Sequence, residues 1–230
     1  MLRRVVAWAL AFTVVAGAAL GCGGDGRAPR STLGPSAARD PVVFVHGLHG
    51  SGAAWGTMVA RLRADGWPAS RLDAWSYDSD QSNVVTAQQL SVEVDRVLAA
   101  TRARRVDLVT HSMGALPSRY YLEHLGGSAK VDAWVSLAGP NRGIGVLCPA
   151  ISCQEMQSGS AFLKALNGRD PTPGPTRYAT WRSPCDRVVP PDAVTLAGAR
   201  STTTACLDHG ALPTDAAVYR QVRDFIAARR

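Results

Sequence analysis

Val106-Asp107-Leu108-Val109-Thr110-His111-Ser112-Met113-Gly114 is the stretch that decides how this chain is read. An apolar run, short enough for a strand buried on both faces, leads straight into a serine. Small or turn-forming residues flank that serine, and a helical pattern follows from Gly114 to Leu125, ended by Gly126-Gly127. This is the layout of a strand-turn-helix elbow, on which a serine hydroxyl is held out of the backbone as a nucleophile. The fit to the G-x-S-x-G pattern has one departure, because Thr110 stands where the first glycine would be. A small residue is needed there, and threonine is at least compatible with a strand.

Upstream and downstream of the elbow, strand and helix patterns alternate. Apolar strands are expected over Pro41–Val45, Arg71–Trp75, Val106–Val109 and Val131–Leu137, with late strands over Tyr178–Trp181 and Val194–Leu196. Helices are expected over Gly52–Ala64, Val84–Thr101 and Gly114–Leu125, with a short one over Ser160–Leu166. Thr214 is placed to cap a last helix bearing Val218, Val222, Phe225 and Ile226 on one face. Such alternation predicts a mostly parallel sheet with helices on both faces. Ligands then bind at the carboxyl ends of the strands, where Ser112, His46 and Gly47 fall. The segment 139–176 is irregular and rich in Pro and Gly, and it is the one connection long enough to cover such a site.

A nucleophilic serine needs a neutral imidazole to take its proton and a carboxylate to orient that imidazole. On this kind of sheet the chain order is Ser, then acid, then His. Of five histidines only His124 and His209 follow Ser112. His124 lies on the helix directly after the elbow, too near to reach back. His209 sits between the last strand and the last helix and is the candidate base. Asp186 follows the strand at Tyr178–Trp181 and is the candidate acid, with Asp170 and Asp192 as rivals. Asp132 enters its strand rather than leaving it and faces the wrong edge. Oxyanion stabilisation needs two backbone N–H donors. Met113, next after the serine, supplies one, and Leu48 in the glycine-rich turn His46-Gly47-Leu48-His49-Gly50 supplies the other. Leu48, Met113, Ile144, Val146, Leu147 and Leu212 are candidates for an apolar wall beside the site.

Length and composition agree with one globular domain: the chain has 230 residues, 46% apolar and 19% charged. The net charge is +7, and only two of the 25 basic residues are lysines. No basic run is interleaved with aromatics, so nucleic-acid binding is not expected. Arg3-Arg4 precede a largely apolar stretch, Val5–Leu20, that is long for a signal core and short for a membrane span. It ends in Ala19-Leu20-Gly21-Cys22, which resembles a bacterial lipobox, so Cys22 is a candidate for lipid modification. The organisation expected is a lipoprotein-type signal over 1–21, a flexible linker over 22–40 and the catalytic domain over 41–230. The product would be exported, either anchored to a membrane of the cell envelope through Cys22 or secreted. Four cysteines remain, Cys148, Cys153, Cys185 and Cys206. Three pairings are open; a local Cys148–Cys153 loop and a Cys185–Cys206 bond are favoured. The second would tie the acid loop to the base loop. A metal site is not expected, since no Cys-x-x-Cys pair or histidine cluster occurs.

His46-Gly47-Leu48-His49-Gly50, Thr110-His111-Ser112-Met113-Gly114, Gly139-Pro140-Asn141-Arg142-Gly143, Cys185-Asp186-Arg187-Val188-Val189-Pro190 and Asp208-His209 together resemble the class 2 bacterial lipases, over roughly 41–228. The resemblance implies an α/β-hydrolase fold, compact and without a large lid domain. It implies a serine hydrolase of carboxylic esters, lipase or esterase, with Ser112 as nucleophile, Asp186 as acid, His209 as base and Leu48 and Met113 as oxyanion donors. It implies a lipid or small-ester substrate and no cofactor; a monomer is expected. The alternatives are another hydrolase on the same scaffold (phospholipase, polyester depolymerase, thioesterase) or a non-catalytic surface lipoprotein.

Overall fold

Helical connections force neighbouring strands to run the same way, and that is what the chain builds. In the computed structural model, which describes residues 39–145 and 148–228, six strands form one sheet. They are β1 (Val42–Val45), β2 (Leu72–Trp75), β3 (Val106–His111), β4 (Val131–Leu137), β5 (Arg177–Arg182) and β6 (Arg200–Thr203). Their order is β2-β1-β3-β4-β5-β6, and all five neighbouring pairs are parallel. β1 and β3 are interior strands buried on both faces, which accounts for the unbroken apolar run of β1; in β3 the buried Asp107 accepts the Ala133 amide (3.1 Å).

Among the described residues six α-helices accompany them: α1 (Gly56–Ala64), α2 (Asn83–Thr101), α3 (Ala115–His124), α4 (Ile151–Glu155), α5 (Ala161–Asn167) and α6 (Ala216–Ala227). One face of the sheet packs Phe44, Val135 and Trp181 against Met58 and Leu62 of α1 and Val218 and Val222 of α6. The other packs Val45, Leu108 and Trp134 against Leu90 and Val94 of α2 and Tyr121 of α3. A third cluster lies beyond the carboxyl edge, where α4 and α5 from the 139–176 connection cover Met113, Leu116 and Val189. There Arg119, fully buried on α3, donates to Glu123 (2.9 Å), Asn167 Oδ1 (3.0 Å) and the Leu166 carbonyl (3.2 Å). The helix that follows the elbow is thereby joined to the cap over it.

Several elements depart from expectation for identifiable reasons. The strand expected at Val194–Leu196 is absent: Pro191–Val194 forms a single 3₁₀ turn, and Val194 is buried in the third cluster. The last strand is Arg200-Ser-Thr-Thr203 instead, an edge strand with one partner and mostly exposed side chains. The final helix is capped by Asp215, not Thr214; Asp215 Oδ1 accepts from the amides of Ala217 (2.8 Å) and Val218 (2.9 Å). The first helix begins as a 3₁₀ turn, Gly52–Trp55. β3 runs to His111, so the turn starts at Ser112 itself. The signal assigned to 1–21, Cys22 and nearly all of the linker lie outside the described residues.

Gly114 shows how closely the elbow helix seats on the sheet. A Cβ there would lie 2.4 Å from the His46 carbonyl oxygen and 2.7 Å from that of Val45. Both obstacles are backbone and cannot rotate away. Gly114→Ala is expected to destabilise the fold by roughly 2–3 kcal/mol or more, read as a lowered urea midpoint at unchanged slope.

Candidate active site

The chain leaves β3 at His111, turns through Ser112 and enters α3. Ser112 has φ 53°, a left-handed backbone that non-glycine residues rarely take. The strain turns its hydroxyl away from the sheet and into the space above the strand ends. His209 Nε2 lies 2.9 Å from Ser112 Oγ, and His209 Nδ1 lies 2.7 Å from Asp186 Oδ2. Asp186 follows β5, and His209 opens a 3₁₀ turn, His209–Ala211, after β6. The other oxygen of Asp186 is held too: Oδ1 accepts the amides of Val188 and Val189, each at 2.9 Å. Burial alone would raise the Asp186 pKa. The His209 bond and the two amides together outweigh it and hold the carboxyl below its ordinary value. Asp186 is therefore ionised, and His209 must present its Nδ1–H to it, which leaves Nε2 free to accept from Ser112.

The rivals fall elsewhere. Asp170 caps its own turn at Thr172 and Asp192 is exposed in the Pro191–Val194 turn. Asp132 starts β4 and pairs with Arg105 and Arg177. His124 ends α3 beside Glu123.

The acid and base loops are cross-linked. Cys185 and Cys206 form a disulfide, as do Cys148 and Cys153. Ser183 adds a second link that chain order and spacing do not reveal: its hydroxyl donates to the Leu207 carbonyl (2.6 Å) and accepts the Leu207 amide (2.9 Å). Closing a loop of 21 residues restricts the unfolded chain by about 3 kcal/mol. The double variant Cys185→Ser/Cys206→Ser should lose about that much stability by chemical denaturation, with Ser183 keeping the loops in contact in the folded state.

The loop after β1 presses against the serine. A Cβ on Gly47 would fall 2.8 Å from Ser112 Cβ. His46 is buried and shapes this loop. The Tyr77 amide donates to His46 Nε2 (3.2 Å), so Nδ1 carries the proton and donates to the Gly47 carbonyl (2.8 Å). The Tyr77 hydroxyl donates to the His46 carbonyl (2.6 Å), and the rings stack at 4.1 Å. Burial holds the His46 pKa below its ordinary value, against the Gly47 bond that favours the charged form. Tyr77 belongs to no motif, and nothing in the sequence marked it.

A cavity of about 560 Å³ opens beside Ser112 and His209; its apolar wall includes Leu48, Ala54, Ile144, Met156, Val188 and Pro213. Of the wall residues expected from sequence, Leu48 and Ile144 are in place. Met113 and Leu212 are buried in the cores beneath, so their side chains do not face it. Val146 and Leu147 lie outside the described residues. Met156, Val188 and Pro213 reach the wall through the folding of the cap and of the loops after β5 and β6. The cap is tied down at α4. Glu155 accepts from Ser82 Oγ (2.6 Å) and from the Asn83 amide (2.6 Å), and Ser152 Oγ donates to the Ser79 carbonyl (2.6 Å). The Glu155 carboxylate thus also meets the positive end of α2.

A parallel sheet with this serine, aspartate and histidine after β3, β5 and β6 defines an α/β-hydrolase. Residues 39–224 match the model of the class 2 lipase family, and the chain belongs to that family. Triacylglycerol lipase of Burkholderia plantarii is 36% identical over 123 residues, which is 51% of this chain and 34% of that protein. Triacylglycerol lipase of Pseudarthrobacter phenanthrenivorans is 35% identical over 91 residues, 37% of this chain and 28% of that protein. The matches thus span about a third of the length of these relatives. Among solved structures, mature Bacillus licheniformis lipase superposes with a TM-score of 0.72 at 19% identity, covering 85% of this chain and 95% of that one. Aspergillus fumigatus lipase B gives 0.70 at 14% identity, covering 83% and 53%. At such identities the likeness is one of fold.

Proposed function

We propose that this protein hydrolyses carboxylic esters of lipids by two-step acyl transfer. The observation that carries the proposal is the unbroken Ser112–His209–Asp186 hydrogen-bond chain opening onto an apolar cavity. His209 Nε2 takes the Ser112 proton as Oγ attacks the ester carbonyl. The carbonyl oxygen becomes an oxyanion held by the backbone amides of Leu48 and Met113, and the close packing of Gly47 on Ser112 supports that placement. His209 then protonates the leaving alcohol. Water, deprotonated by the same imidazole, attacks the acyl-enzyme, and Ser112 departs with its proton restored. Asp186 stays ionised throughout and stabilises the imidazolium. No cofactor enters these steps.

The two disulfides and the bacterial relatives support an exported protein. No helix among the described residues is long and apolar enough to cross a membrane. Attachment through a lipid on Cys22 rests on the Ala19-Leu20-Gly21-Cys22 sequence.

The proposal is tested by hydrolysis of a chain-length series of p-nitrophenyl esters alongside emulsified tributyrin. If the acyl chain enters the apolar cavity, kcat/KM should rise at least ~5-fold from acetate to butyrate, since each buried methylene contributes up to about 0.8 kcal/mol. Turnover of tributyrin would place glycerides among the substrates. A profile that is flat or falls with chain length would overturn the acyl-pocket assignment, and no turnover of any ester would overturn the activity.

A further inference from the structure

His111 is the last residue of β3 and the neighbour of Ser112 in sequence, and it borders the cavity beside Ser112. It reaches across to the base loop. His111 Nε2 lies 3.0 Å from the carbonyl oxygen of His209, and the two rings approach at 4.7 Å between centroids, tilted by 39°. A carbonyl only accepts, so the proton of the His111 ring is on Nε2.

We propose that His111 is a positioning residue: its Nε2–H bond to the His209 carbonyl locks the base loop onto the nucleophile strand and sets the reach of His209 to Ser112. The inference rests on the reading of Ser112 as nucleophile and His209 as base. Ahead of His209 the base loop is held from the acid side, and past it Arg61 of α1 donates to the Thr214 carbonyl (2.7 Å). The disulfide meets the loop at Cys206 and Ser183 meets it at Leu207. His209 itself starts a turn of three residues and belongs to no strand or long helix. The bond from His111 holds the peptide that carries the imidazole, and it does so from the strand that carries the nucleophile. The base loop is then joined to the acid loop on one side and to the nucleophile strand on the other.

The surroundings suit this role. Burial, and next the positive charge of His209, push the His111 pKa down to about 4, against the bond to the His209 carbonyl and the Asp186 charge, which both raise it. The ring therefore stays neutral at working pH, and it places no second cation beside His209 when that residue takes the serine proton. Misplacing a reacting group by an ångström can cost about a hundredfold in rate.

The test compares His111→Phe, which keeps a ring but has no donor, with His111→Gln, whose amide can still donate. Both are assayed on p-nitrophenyl butyrate, with thermal melts as a folding control. His111→Phe should lose about 10- to 100-fold in kcat, with KM within about twofold of wild type. His111→Gln should recover most of that loss. If the phenylalanine variant does not fold, His111→Met serves as the donor-free variant. The inference is overturned if a folded donor-free variant keeps wild-type kcat, if glutamine rescues nothing, or if the loss lies in KM, which would make His111 a substrate contact. It is equally overturned if neither donor-free variant folds, since His111 would then be needed for the fold itself. A wild-type protein with no turnover would instead sink the proposed activity, so the two failures are distinct.

Discussion

Ser112→Ala lowers kcat/KM on p-nitrophenyl butyrate by at least about 10⁴-fold, because no other group can form the acyl-enzyme and only the oxyanion donors and binding remain. The fold is unaffected: alanine tolerates φ 53° no better and no worse than serine, so the thermal midpoint should stay within error of wild type. A glycine at the same position separates chemistry from strain. Ser112→Gly is just as inactive but should gain up to about 1 kcal/mol of stability, since glycine takes the left-handed region without a Cβ penalty. Loss of activity with unchanged or raised stability is the signature of a strained nucleophile. Loss of both would point to a structural serine.

Asp186→Asn is expected to cost about 10⁴-fold in kcat, and the reason can be read from the carboxylate's partners. Oδ1 accepts two backbone amides, from Val188 and Val189, while Oδ2 accepts the His209 Nδ1–H. An asparagine must put its oxygen toward the two amides, because its NH₂ would face two donors there. The NH₂ then points at His209 Nδ1 and requires it to accept. The imidazole responds by moving its proton to Nε2, where it confronts Ser112 Oγ with a donor instead of a base. The side chain stays in place and the tautomer is wrong. The loss should therefore fall on kcat with little change in KM or in the denaturant midpoint. A variant that keeps more than about a tenth of wild-type kcat would mean that Asp186 does not orient the base.

Much of this is legible in the sequence. The continuous apolar run at 41–45 suits a strand buried on both faces, the largely apolar 106–109 reads as the next one, and chain order with helix position reduces five histidines to one candidate base. Loop position selects Asp186, and the structure places Asp186 and His209 in one hydrogen-bonded line with Ser112. Thr110, the irregular member of the elbow, is accommodated because its hydroxyl donates to the Val135 carbonyl on β4 (2.9 Å), so burying it leaves no polar group unpaired. What escaped the sequence has physical causes. β6 is a polar edge strand, held by the β5 backbone, and carries no hydrophobic period. Helix α4 has five residues, too few for an amphipathic stripe. Ser183, Tyr77 and Glu155 act through bonds to backbone far away in the chain, which local patterns do not encode. The cavity wall depends on how the cap folds over the strand ends, so sequence alone does not mark Met156 and Val188 as wall residues, nor separate from them Met113 and Leu212, which lie beneath it.

The central claim is that Ser112 is the nucleophile, and covalent trapping addresses it most directly. Treatment with diethyl p-nitrophenyl phosphate, followed by peptide mass mapping, should find the phosphoryl adduct on Ser112, with esterase activity lost in proportion to its occupancy and no adduct there in Ser112→Ala. Complete inactivation with the label on another residue, or full labelling of Ser112 with activity intact, would contradict it.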